Sequence, residues 1–310
     1  MQLRPFDFSE ADYQAYVDAV NAAHPEIARV VTDVRHADKT RGADEVLGRW
    51  LVEVEGRIVG IVEYESPRNP KAGALEVHYR LHPQYKGLTA ATWEFLMAEA
   101  AKQNPRVLQT GGREDWDEVA WYRAEGFVEL DRMWASTLDV QTFDPAPFHR
   151  PLADGIEIKP LSDFDWKSQA FVRRWYTMMI ALLSDVPSAE RINPWPLEVW
   201  QQRHAAEPNL IPEGYFFAVE EDQLVGTTML FKSNRPQTLQ TGLTGTLSSH
   251  RRKGIALALK LRAAAFAKDY GVRYVRTNNH QINRPMLSIN EAMGFVKEPA
   301  LVVLHKELKP

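Results

Sequence analysis

A chain of 310 residues, 45% of them hydrophobic, is long enough for two domains of ordinary size that each bury a core. It contains no cysteine, which excludes disulfides, thiolate metal ligands and a cysteine nucleophile and agrees with a reducing, cytoplasmic setting. The net charge of −4 is spread over interspersed acids and bases, and no run reads as a signal sequence or a bilayer span, so neither nucleic acid nor a membrane is the expected partner.

In chain order, Leu3-Arg-Pro-Phe-Asp-Phe-Ser-Glu-Ala-Asp12 reads as a short strand running into a helix, and Leu51-Val-Glu-Val-Glu-Gly-Arg-Ile-Val-Gly60 as strand, acidic turn and strand. Glu76, His78, Arg80 and His82 alternate with Val77, Tyr79 and Leu81, which gives a strand one polar face. His82-Pro-Gln-Tyr-Lys-Gly-Leu-Thr-Ala-Ala91 follows, and Trp121-Tyr-Arg-Ala-Glu-Gly-Phe127 ends a helix at Gly126. Were Tyr122 to lie beside the polar strand, Glu76 and Tyr122 would supply a base and an acid; the other reading is a half-exposed strand and a tyrosine packed under a helix. Thr142-Phe-Asp-Pro-Ala-Pro-Phe-His-Arg-Pro151 is a proline-rich connector expected to be extended and stiff.

Three segments recur in the same order at nearly constant separation. Leu3–Asp12 is echoed by Ile158–Asp165, Leu51–Gly60 by Phe217–Gly226, and Trp121–Phe127 by Ile289–Phe295. The chain therefore reads as a duplicated α/β unit, with a first domain over 1–141, a linker over 142–155 and a second domain over 156–310.

In the second half, Phe171-Val-Arg-Arg-Trp-Tyr-Thr-Met-Met-Ile-Ala-Leu-Leu183 is an amphipathic helix followed by Ser184-Asp-Val-Pro187, Trp195 and Trp200. Its aromatic stripe is either core or a pocket wall; Asp185 either holds a cationic amine or ends the helix ahead of Pro187. Gln223–Phe231 and Thr238–Leu247 read as strands parted by Ser233-Asn-Arg-Pro236. Thr246-Leu-Ser-Ser-His-Arg-Arg-Lys-Gly-Ile-Ala-Leu-Ala-Leu-Lys260 then passes from strand end through Gly254 into a helix, with Arg251-x-x-Gly254-x-Ala256 at its centre. The first free N–H groups of the helix after Gly254 and the positive end of its dipole point to an anion site. The basic run His250-Arg-Arg-Lys253 opposes that dipole, a conflict an anionic ligand relieves, although such a run also suits a solvated turn. Val272–Thr277 is a further strand, and Asn283–Phe295 a short helix with Asn283 at its N-cap. The nine histidines are scattered without His-Glu-x-x-His, so no metal is expected; Gly-x-Ser-x-Gly and Gly-x-Gly-x-x-Gly after a strand are also absent.

On Arg251, Gly254 and Ala256, and on Thr277-x-Asn279-x-x-x-Asn283-x-x-Met286-x-x-Ile289-Asn290-x-x-x-Gly294-Phe295, the second half resembles the GNAT superfamily of acyl-CoA N-acyltransferases. The resemblance reaches the first half more weakly. It implies two tandem GNAT-like α/β domains, each a twisted mixed, mainly antiparallel sheet flanked by helices. It also implies acetyl-CoA as co-substrate, its pyrophosphate on Arg251, Arg252, Lys253, Gly254, Ile255 and Ala256 beside Thr246. A main-chain N–H near Leu247 would meet the thioester oxygen, with Asn283 and Asn290 along the pantetheine arm. Asp185 would hold the acceptor, a primary amine of a small molecule.

Two departures qualify the resemblance. Asn290 stands where many relatives have a tyrosine that protonates the leaving thiolate, and it cannot titrate; a thiolate with pKa about 8.5 is still a fair leaving group at neutral pH. The first-half loop registers as Gln84-x-x-Gly87-x-Thr89 or Lys86-x-x-Thr89-x-Ala91, and each register spoils one position, so coenzyme is expected only in the second domain. The alternatives are a non-catalytic tandem protein and chemistry in the first domain on Glu76 and Tyr122.

Overall fold

A computed structural model describes residues 1–67, 73–148, 150–186, 194–205 and 207–308. His149 of the connector and Pro187 lie outside them. The first half forms β1 (Gln2–Pro5), α1 (Glu10–Ala23), α2 (Val31–Lys39), β2 (Leu47–Val54), β3 (Arg57–Glu65), β4 (Ala74–Leu81), α3 (Thr89–Ala101), β5 (Val107–Arg113), α4 (Asp117–Ala124) and β6 (Val128–Asp139). The second forms β7 (Ile156–Pro160), α5 (Gln169–Ser184), α6 (Leu197–Ala205), β8 (Leu210–Glu220), β9 (Gln223–Lys232), β10 (Thr238–Thr246), α7 (Ile255–Asp269), β11 (Tyr274–His280), α8 (Arg284–Ala292), β12 (Val296–Lys297) and β13 (Leu301–Glu307). Among the described residues no helix is long and apolar enough to cross a membrane.

One compact unit comprises Met1–Arg132 with Pro299–Pro310. Its strands run β1-β2-β3-β4-β5-β13, antiparallel except for β4 beside β5. Ser9 starts α1 by accepting the Asp12 N–H at 3.2 Å, and Arg4 clamps the Asp12 carboxylate through two nitrogens at 2.9 and 2.6 Å. On β4, Leu75, Val77, Tyr79 and Leu81 join Trp93, Leu96, Tyr122 and Phe127 in a core beneath α3 and α4. Glu76, His78 and Arg80 necessarily take the opposite face. Each buried apolar side chain contributes ~1.5–3 kcal/mol, so a one-residue slip of β4 is strongly disfavoured.

The second unit comprises Met133–Glu298. Its strands run β6-β11-β10-β9-β8-β7, with β12 also on β6. Tyr215, Phe217 and Val219 of β8 pack with α5 and α6, while Phe216 and Ala218 pack with α7. Both faces are covered, which explains why Tyr215–Val219 is an unbroken apolar run. Phe171, Trp175, Met178, Met179 and Leu182 are buried, so the stripe of α5 is mostly core, but Val172 and Trp175, with Trp200 of α6, also line a cavity of about 240 Å³.

Two strands depart from the sequence halves. β13 completes the first unit's sheet, in register with β5 from Leu301 opposite Arg113 to Glu307 opposite Val107. Met133–Asp139 of β6 pairs with β11 in the second unit. The connector is not simply extended: Ala146–Phe148 makes a 3-10 turn, and the Phe143 and Phe148 rings, 5.7 Å apart, pack on the cluster containing Leu138 and Val140.

Candidate active site

The site begins where two parallel strands part. β10 and β11 are in register only from Thr238 opposite Tyr274 to Gln240 opposite Arg276. Beyond that, β10 shifts its register against β9 between Thr241 and Thr244, while β11 continues along β6 to His280. A bulge bends a strand, and here it opens a gap between the ends of β10 and β11.

At the end of β10, the Leu247 N–H donates to Val225 O at 2.9 Å. That amide is committed to the ladder, so of the main-chain N–H groups near Leu247 its own is not the one free to meet a thioester oxygen. Alternation along an antiparallel strand turns the amides of Thr244 and Thr246 to the other side, toward the gap. Thr246 Oγ1 is buried and has no hydrogen-bond partner among the described residues. The chain then makes one 3-10 turn at Ser248–His250. His250 is buried, its Nδ1 2.8 Å from Ser249 Oγ and its Nε2 2.9 Å from Glu220 Oε2.

Arg252 (φ 65°) and Gly254 (φ 80°) both take left-handed conformations, and α7 starts at Ile255 with no side-chain cap and no acid in its first turn. Its first internal bond is from the Ala258 N–H to Gly254 O at 3.0 Å. The amides of Arg252, Lys253, Gly254, Ile255 and Ala256 therefore have no partner among the described residues. Such an arrangement is an anion-binding nest at the positive end of a helix. A Cβ at Gly254 would meet nothing within 4 Å, so it is the φ rather than lack of space that calls for glycine there.

The surrounding charges are already engaged. Arg251 Nη2 donates to Asp185 Oδ2 at 2.6 Å, so two residues expected to serve different substrates are partners. Lys253 Nζ lies 3.8 Å from Glu220 Oε1. The hydrogen bond with His250, helped by Lys253, holds the Glu220 carboxyl below its ordinary range. Sequence reading missed Glu220, whose only signal is its place at the end of an apolar strand. It also missed Lys260, one turn beyond Ala256: burial pulls its pKa down to about 8, and its Nζ stands 5.0 Å from the Phe295 ring centroid.

Across the gap, Asn283 caps α8 by accepting the Met286 N–H at 3.4 Å. Asn290, 2% exposed, donates through Nδ2 to Asn279 Oδ1 of β11 at 2.5 Å, while its own Oδ1 has no partner among the described residues. Asn290 thus ties α8 to the strand rather than supplying a proton. Among the described residues no group of three or more His, Asp or Glu is arranged to hold a metal ion.

The first unit repeats the parting of strands but not the nest. β4 and β5 are in register only from Ala74–Glu76 and Val107–Gln109. The following Pro83–Leu88 is a 3-10 segment, and Gly87 is not among the residues with positive φ. Lys86 is ion-paired with Asp117. A cavity of only about 110 Å³ lies there, lined by Tyr79, Lys86, Asp117, Glu118 and Trp121. Its two carboxylates disfavour an anion. Tyr122 is fully buried against Tyr79, Trp93 and Phe127, its oxygen accepting the Tyr79 N–H at a long 3.5 Å, and burial raises its pKa. Glu76 pairs with His78 Nε2 at 2.8 Å on the opposite face of β4. The acid–base meeting of Glu76 with Tyr122 is therefore not formed.

Residues 177–295 match the model of the Acetyltransferase (GNAT) family. No curated protein sequence matches the chain. Among solved structures the chain is similar to a tandem GNAT protein from the clavulanic acid biosynthesis pathway, with TM-score 0.78 and 19% identity over 100% of this chain and 99% of that one. It is also similar to a GCN5-related N-acetyltransferase from Sphaerobacter thermophilus (TM-score 0.70, 20% identity, 100% and 96% covered). A GNAT-family acetyltransferase from Colwellia psychrerythraea follows the same path (TM-score 0.62, 12% identity, 100% of both chains). The chain thus has the tandem GNAT fold, and its second half carries an acetyltransferase domain of the GNAT family.

Proposed function

We propose that the second unit transfers an acetyl group directly from acetyl-CoA to a primary amine of a small molecule. The observation that carries this reading is the run of unpartnered amides from Arg252 to Ala256, set between the parted ends of β10 and β11 and the start of α7. The amides receive the coenzyme's diphosphate, and Arg251, Arg252 and Lys253 offset its charge. The gap accepts the extended pantetheine arm, whose amide groups meet backbone groups that lack a neighbouring strand. The amide of Thr244 or Thr246, not that of Leu247, donates to the thioester oxygen and to the oxyanion formed when the neutral amine attacks the carbonyl carbon. The carbon–sulfur bond then breaks, coenzyme A leaves as thiolate, and the new ammonium loses its proton to water or to that thiolate. Most of the rate gain comes from holding amine and thioester together.

Calorimetry with acetyl-CoA, followed by a thiol-release screen over small amines, tests the reading. Binding with turnover on at least one amine is expected. Binding without turnover on any amine supports the non-catalytic alternative.

A further inference from the structure

Asp185 follows the last residue of α5, and Arg251 opens the loop that carries Gly254. Their ion pair is short at 2.6 Å, yet the side chains are 44% and 49% exposed. Exposed pairs of this kind contribute little net stability and exchange partners readily. We propose that the pair is an exchange latch: the coenzyme's diphosphate takes Arg251 from Asp185, and the released carboxylate becomes the subsite for a cationic group of the acceptor. This inference rests on the acetyl-CoA reading above.

Three observations lead to it. First, a diphosphate beside the nest presents oxygens that a guanidinium fork meets in two bonds, and it competes directly with a single exposed carboxylate. Second, Asp185 sits at the C-terminal end of α5, where the helix dipole is negative and the last turn holds no basic residue. A carboxylate left there without Arg251 calls for another cation. Third, the end of α5 lies over the end of β10, the strand that borders the transfer gap: a Cβ built on Gly245 of β10 would lie 3.1 Å from Leu182 Cδ2, and Asp185 is less than one turn further along.

The chemistry also limits which nitrogen Asp185 takes. The attacking amine must be uncharged, and a carboxylate contact would hold its proton in place. Asp185 therefore suits a second, non-reacting ammonium, and the substrate class is an amine with two basic nitrogens. Because coenzyme and acceptor each take one member of the pair, each strengthens binding of the other.

The test uses the full chain with coenzyme A as probe, comparing wild type, Asp185→Asn, Arg251→Gln and the double variant by calorimetry. Asp185→Asn is expected to tighten coenzyme A binding by about two- to fivefold, and Arg251→Gln to weaken it. In the Arg251→Gln background the gain should vanish. Unchanged or weaker binding by Asp185→Asn overturns the latch while leaving the acetyl-CoA reading intact; a wild type that binds no coenzyme A removes both. With coenzyme A saturating, 1,4-diaminobutane should bind more tightly than butylamine, and Asp185→Asn should erase that preference. A wild type without the preference, or a variant that keeps it, overturns the ammonium subsite.

Discussion

Nε2 of His250 and Oε2 of Glu220 stand 2.9 Å apart, so the last residue of β8 holds the turn that leads into the phosphate loop. Glu220→Gln keeps the shape but removes the charge that fixes His250 and attracts Lys253. With Lys253 freed for the diphosphate, coenzyme A affinity is expected to rise a few-fold while the melting temperature hardly moves. The Glu220 carboxyl is depressed in the folded protein, so its contribution is complete above the ordinary glutamate range. It is lost as pH falls through that lowered value. Calorimetry and melting curves at neutral and acidic pH check both statements; a large loss of stability with unchanged affinity would make the pair structural only.

Gly254 separates the demands of backbone and ligand. With φ at 80° and open space around its Cα, Gly254→Ala should cost about 1–2 kcal/mol in strain without a clash. Gly254→Glu adds a negative charge among the amides and should abolish acetyl-CoA binding while the far-UV circular dichroism stays native. Unchanged affinity in Gly254→Glu refutes the placement of the diphosphate.

Lys260 should leave a signature at alkaline pH. Its folded pKa of about 8 lies below the ordinary 10.5, so the unfolded chain binds more protons between these values. Stability therefore rises with pH across that window and levels off above it. Lys260→Met removes the rise and should stabilise the protein at neutral pH by on the order of 3 kcal/mol at most. Parallel melting curves for the two proteins from pH 7 to pH 10 would contradict this.

Tyr122 is the control. Its hydroxyl accepts a long hydrogen bond at 3.5 Å in a closed aromatic core. Tyr122→Phe should cost less than about 1 kcal/mol and leave turnover unchanged. A strong drop in turnover would move the chemistry to the first unit.

The exchanged strand predicts how the chain can be cut. Val302 and Leu304 of β13 are buried in the first unit's core. A fragment ending at residue 141 lacks both and exposes the edge of β5, so it should be unfolded or aggregated by circular dichroism and light scattering. Adding a peptide spanning 299–308 in trans is expected to restore structure; a cooperative, soluble 1–141 fragment would contradict this.

Much of this was legible in the residues. Arg251, Gly254 and Ala256 carry their meaning locally, since a left-handed glycine before an uncapped helix is a statement about a few consecutive amides. Asn283 likewise announces a helix start through its own side chain. Partners distant in sequence were not legible. Leu247 differs from its neighbours only through the ladder bond to Val225, and Arg251 meets Asp185 across 66 positions. The duplication was visible in three echoes, but similarity between copies says nothing about which sheet a final strand joins. Leu301-Val-Val-Leu304 is equally apolar for either, and only packing assigns it to β5.

That assignment constrains how the protein is made. N-terminal domains ordinarily fold as they leave the ribosome, at about 5–20 residues per second. Here β5, complete at residue 113, cannot be covered by β13 until residue 307 has followed it, a wait of roughly 10–40 s at such rates. Throughout it the edge of β5 is open to wrong partners, so slow synthesis or premature termination before residue 307 should damage the first unit more than residues 1–132 alone would suggest.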